Sequence, residues 1–79
     1  MDDQVQQWLA EGIARAKAGQ SDLARNLLLR VVERDERNAL AWLWLSGVVS
    51  STEDRRIALE NVLELEPDNA TARAGLEWL

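Results

Sequence analysis

Asn38-Ala39-Leu40-Ala41-Trp42-Leu43-Trp44-Leu45-Ser46-Gly47 is the stretch on which the fold turns. A residue suited to helix capping precedes a run that is apolar nearly all round, so the segment predicts a central, deeply buried helix following Asn38 and extending to about Val49. Weaker copies of this pattern lie on both sides. Trp8 aligned on Trp42 gives a period of 34 residues (42 − 8), and Asn38 aligned on Asn69 gives 31 (69 − 38), both in the range of stacked helical repeats. No stretch alternates convincingly with a period of two. The expectation is an all-α fold of five helices, built as antiparallel helix-turn-helix hairpins stacked into a short solenoid. Such an array offers a binding surface and no obvious reaction centre.

Working outward, a first helix should follow Asp2 or Asp3 and run to about Ala18, with Val5, Trp8, Leu9, Ile13 and Ala16 at helical spacing before Gly19 ends it. Ser21 is placed to cap a second helix carrying Leu23, Ala24, Leu27, Leu28, Val31 and Val32. Downstream, Ser50-Ser51-Thr52 offers hydroxyl caps, and Glu53 and Asp54 suit the first turn of a fourth helix that continues toward Glu66. Pro67 stops it, because its ring cannot extend the hydrogen-bond ladder. Asp68 or Asn69 then starts a fifth helix ending in Leu76, Trp78 and Leu79. Asn69-Ala70-Thr71 has the form of a glycosylation sequon, and Asn69 reads better as a helix cap.

The 79 residues suffice for one domain, which would bury on the order of 60% of its unfolded surface. Cysteine and histidine are both absent, which removes disulfides, thiolate nucleophiles, the usual zinc ligand sets and the commonest general base near neutral pH. Lys and Arg total 9 against 14 Asp and Glu, a net charge of −5 that repels polyphosphate and argues against nucleic acid as a partner. The N-terminal segment lacks the basic and apolar regions of a secretory signal, and no run approaches the roughly 18 apolar residues of a membrane span. The expected location is therefore cytoplasmic, with no membrane insertion and no cofactor.

With its helices placed, the chain resembles the tetratricopeptide repeat family. In residues 5–38, Trp8, Gly12, Gly19, Ala24, Leu28 and Val31 stand where that pattern asks for an aromatic, small, turn, small, large apolar and small apolar residue. In residues 39–69, Trp42, Leu45, Ser46, Leu59, Val62 and Pro67 match in the same sense, and residues 70–79 are similar to the terminal capping helix. Small residues such as Gly12 and Ser46 would let the helices of a hairpin approach closely, while the aromatic fills the space between hairpins. Glu36 replaces the usual proline of the first repeat, Arg15 and Val49 replace an aromatic, and Arg55 stands where a small residue is usual. The second repeat is shorter by three residues (34 − 31), a loss located around Ser51 that should make its hairpin tighter or twisted.

The resemblance implies a concave face lined by the first helix of each hairpin and occupied by an extended peptide or a partner helix. Its residues would be Gln6, Leu9, Ala10, Ile13 and Lys17 from the first hairpin and Leu40, Leu43, Trp44 and Gly47 from the second. Members that grip a C-terminal carboxylate use lysine and asparagine at such places. Leu9, Ile13, Leu43 and Gly47 cannot donate to a carboxylate, which argues against that mode here. Trp44 is the leading contact residue, since Trp42 already takes the inter-hairpin position and one tryptophan in a pocket can dominate an interface. The ordinary alternative is burial of this face within the molecule. Two repeats fall below the roughly three that stabilise such arrays, and Glu77-Trp78-Leu79 ends on large apolar residues, as though Trp78 and Leu79 pack against a second copy or a continuation.

The charged residues read as a solvated surface. Glu60 and Glu64 lie one turn apart and could in principle do acid and base work, but Arg56 one turn before Glu60 makes a face of weak ion pairs the simpler account. Arg30, Arg34 and Arg37 with Glu33, Asp35 and Glu36 form an exposed face in the same way. Arg55-Arg56 is the one basic step that could hold a phosphate or an acidic partner. The four glycines are widely separated, so there is no phosphate-cradling loop. The sequence thus points to a non-catalytic protein-interaction module displaying an apolar, tryptophan-bearing face to a peptide or helix. The alternative is a structural homodimerisation domain that uses the same face.

Overall fold

A computed structural model describes residues 3–79, and within them every regular element is an α-helix. Helix α1 spans Asp3–Lys17, α2 Ser21–Arg34, α3 Ala39–Ser46, α4 Thr52–Leu65 and α5 Ala70–Glu77. The candidate cap Asp2 lies outside the described residues.

Local chemistry sets most of the boundaries. After α1, the Gln20 amide bonds to the Arg15 carbonyl at 2.9 Å and the Gly19 amide to that of Ala16 at 3.1 Å, the paired pattern of a Schellman turn. That turn needs a left-handed residue, and Gly19 supplies it with φ +78°. It also corrects the expected cap of α2. Because the turn uses up Ala18 to Gln20, the Gln20 carbonyl accepts the first helical bond from Ala24 at 3.0 Å, and Ser21 becomes the first helical residue instead of the cap. Three later caps fall where the sequence puts them. Asn38 Oδ1 accepts from the Ala41 amide at 3.0 Å, Ser51 Oγ from Asp54 at 3.0 Å and Asn69 Oδ1 from Ala72 at 2.9 Å.

Helix α3 is shorter than its apolar run suggests, ending at Ser46 instead of near Val49. Its last amides shift to tighter bonds, Gly47 to the Trp44 carbonyl at 3.1 Å and Val48 to Leu45 at 3.0 Å. Two arginines from other helices then donate to carbonyls at and beyond the end of α3. Arg55 Nε of α4 donates to the Ser46 carbonyl at 3.1 Å, and Arg25 Nη1 of α2 to the Val48 carbonyl at 3.1 Å. The connector of residues 47–51 is longer than the three-residue turn between α1 and α2.

Helix α1 packs on α2, α3 on α4 and α4 on α5, while α3 also lies against α2 and α1. A Cβ added at Gly12 would sit 2.9 Å from Leu28 Cγ, and one at Gly75 would sit 2.9 Å from Leu59 Cδ1, so the backbones of α1 and α5 come unusually close to their neighbours. Ser46 is buried, with its hydroxyl donating to the Leu43 carbonyl at 2.6 Å.

The core has two parts. Val5, Leu9, Leu28, Val31, Ala41 and Leu45 belong to the first, and Leu59, Val62 and Ala72 form the second. Trp42 packs against both, and its Nε1 donates to the Glu36 carbonyl at 2.9 Å, so this residue occupies the seam expected of it. The molecule measures 32 × 27 × 17 Å, and the short dimension leaves room for only two layers of helix. Helix α3 has the largest buried share of any helix, four of its eight residues, as expected of the central one, and the thinness of the molecule leaves its other side partly open. Its small residues Ala39, Ala41 and Ser46 are buried together with Leu45, whereas Trp42, Leu43 and Trp44 are half-buried and Leu40 is 48% exposed. Leu23 of the expected α2 stripe is likewise exposed.

Candidate functional site

Leu40, Leu43, Trp44 and Gly47 recur at i, i+3, i+4 and i+7, which places them along one side of α3. Leu43 packs at the edge of the second core cluster and Trp44 at the edge of the first, so the surface bridges both. Lys17 Nζ, at the end of α1, stands 5.8 Å from the centre of the Trp44 ring, close enough for a cation–π contact that steadies the indole.

Leu43, Trp44, Ser46 and Gly47 form one wall of a groove of about 490 Å³. Arg55 and Leu59 contribute from α4, and Thr71 and Gly75 from α5. The volume falls within the range of ligand pockets, roughly 300–1,000 Å³. Gly75 shapes it directly, because α5 can approach α4 this closely only without a side chain at that point. The lining is largely apolar, and its one charged residue is Arg55.

The structure brings Leu43, Trp44 and Gly47 together in the groove and sets Lys17 against Trp44. Leu40 continues the same side of α3 in an exposed position, and Ile13 is half-buried where it packs against the first core cluster. Leu9 is a correction. At 8% exposure it belongs to the core with Ala41 and Leu45, and it has little surface to offer a partner. Trp78 and Leu79, exposed at 90% and 40%, follow α5 and are not part of the groove lining.

Sequence reasoning missed Leu59, Thr71 and Gly75 as groove residues. It noted Arg55 only as a departure from the repeat pattern and as half of a basic step, and that departure was the available signal. The two arginines of that step separate in the structure. Arg55 turns to α3, while Arg56 pairs with Glu53 at 2.8 Å instead of with Glu60. Both partners of the Arg56 ion pair are exposed, so it contributes little. Glu60 and Glu64 stay on the solvated side of α4. Trp8 lies apart from the groove, with the Arg30 and Arg34 guanidinium groups 5.8 and 5.4 Å from its ring centre.

Comparison with protein-family models, curated proteins and solved structures found no match to this chain. Among the described residues no helix is long and apolar enough to cross a membrane, and no group of His, Cys, Asp or Glu side chains forms a candidate metal site.

Proposed function

We propose that this chain is a tetratricopeptide-like interaction module that acts without catalysis, holding a segment of a partner protein in the groove between α3, α4 and α5. The observation that carries this reading is the convergence of Leu43, Trp44 and Gly47 on one side of α3 facing a wall built from a different helix. Trp44 is half-buried and braced by Lys17, so much of the ordering cost of an aromatic contact is met before a partner arrives. The order of packing, α1 on α2, both on α3, then α4 and α5, also supports a stacked-hairpin arrangement.

The test is to pan a phage-displayed library of random 12-residue peptides against the folded protein and measure the enriched peptides on the Trp44→Ala variant. Affinity should fall more than about fivefold, corresponding to about 1 kcal/mol, while helicity by circular dichroism is retained. Unchanged affinity would remove the groove from consideration.

The second reading is a homodimerisation domain, favoured by the 90% exposure of Trp78 beside exposed Leu79. Such adjacent apolar surface is commonly covered by another chain. Light scattering over a dilution series separates the two readings, since a dimer that persists to low concentration supports self-association and a monomer supports the adaptor.

A further inference from the structure

We infer that the groove selects partner segments that carry a carboxylate among apolar residues, and that Arg55 is the group that reads this charge. The inference rests on the interaction-module reading above and specifies the chemistry of its partner.

Arg55 departs from the repeat pattern, occupying a place where a small residue is usual, and it adds a permanent positive charge to an apolar wall. Only its Nε is engaged within the described chain, donating to the Ser46 carbonyl at 3.1 Å. That bond anchors the guanidinium at one nitrogen while leaving both terminal nitrogens able to donate in parallel to the two oxygens of a carboxylate. Arg25, the other arginine at the end of α3, is used up by comparison. One of its terminal nitrogens bonds to the Val48 carbonyl and the other to Asp22 at 2.8 Å.

The charge distribution points the same way. The chain carries a net charge of −5, yet the groove lining contains Arg55 and no carboxylate. Lys17 adds a second positive charge beside Trp44. Asp54, the neighbour of Arg55 in sequence, lines a different cleft with Leu29 and Ile57 on the side formed by α2 and α4. An apolar groove whose one lining charge is positive therefore favours acidic-apolar segments over basic ones, and the low-dielectric wall strengthens that preference. This differs from recognition of a C-terminal carboxylate by donors on the first helix of each hairpin, because the donor here lies on α4.

The experiment compares peptide selections against the wild type, Arg55→Gln and Arg55→Glu, using a phage-displayed library of random 12-residue peptides, with circular dichroism to verify that each variant is folded. Wild type should enrich peptides combining large apolar residues with Asp or Glu, and affinity of a synthetic acidic hit should fall as salt is raised. R55Q should keep the apolar preference and lose the acidic one, with at least a tenfold drop for the acidic hit. R55E should turn the selection toward Lys and Arg, a reversal that a purely structural role for Arg55 would not produce. Apolar peptides without an acidic bias, or an acidic bias that survives R55E, would overturn the inference and leave the interaction module standing. Enrichment of no peptide by the wild type, or occupation of the groove by a dilution-resistant dimer that W44A dissolves, would overturn both.

Discussion

Gly12→Ala puts the packing of the first hairpin to a quantitative test. In a free helix the change stabilises by about 0.5–1 kcal/mol, because alanine loses less backbone freedom on folding. Here the new Cβ would lie 2.9 Å from Leu28 Cγ and 3.0 Å from Cδ2, and Leu28 is completely buried, so it has no space into which to retreat. Overpacking of this kind costs about 1–3 kcal/mol. The expected net result is a loss of about 1 kcal/mol, seen in a thermal melt followed by circular dichroism as a fall in Tm of roughly 4–8 °C for a domain of this size. Gly47→Ala is the internal control. Its backbone has φ −87° and ψ −11°, which any residue adopts, and the nearest atom to an added Cβ is the Trp44 carbonyl oxygen at 3.6 Å. That substitution should stabilise by about 0.4–1 kcal/mol through the unfolded chain. If Gly12→Ala melts at or above the wild-type temperature, the close approach of α1 to α2 is wrong.

The other predictions concern caps and burial. Asn38→Ala and Asn69→Ala should each cost about 1 kcal/mol in urea titration, since each leaves a helix amide without its side-chain acceptor, whereas Gln20→Ala should stay within about 0.5 kcal/mol because its side chain caps no amide and the bond it accepts from Arg15 is solvent-exposed. Equal effects at all three positions would contradict the assigned caps. Leu9→Ala should cost about 2–5 kcal/mol as a core truncation, while Leu40→Ala, half exposed on α3, should cost less than about 1 kcal/mol. The reverse order in the same titration would mean that α1 is rotated about its axis relative to its place here.

How much of this was legible in the sequence depends on whether the decisive interaction is local. Asn38, Ser51 and Asn69 were readable as caps because a side chain and an amide three residues on settle the matter between them. Gly19 was readable because a left-handed turn after a helical pattern calls for glycine. Gly12 and Trp42 were readable from repetition, which marks the positions where helices meet. The end of α3 was not legible. Val48 and Val49 continue its apolar pattern, and what replaces the helix there is a pair of arginines 23 and 9 residues distant in the chain. The far wall of the groove was hidden for a related reason, since Thr71 and Gly75 look like ordinary surface-helix residues until α5 is seen against Leu59. Leu9 and Ile13 lie one turn apart and carry similar side chains, so only the position of α3 above α1 shows that Leu9 is the one enclosed.

The early end of α3 links these observations to function. Helix α3 ends at Ser46, and the Ser46 carbonyl, among the last four of the helix, accepts from Arg55. Unwinding after Ser46 directs Val48 into the first core cluster, where it is buried, and leaves the Ser46 and Val48 carbonyls for side-chain donors. Arg55 answers one of them and is thereby held beside Leu43 and Trp44, on the groove side of α4. An α-helix C-terminus favours a nearby cation, so the same charge that completes α3 is stabilised where a partner would meet it. Arg55, anchored at one nitrogen on the end of α3, thus gives the groove lining its one charge.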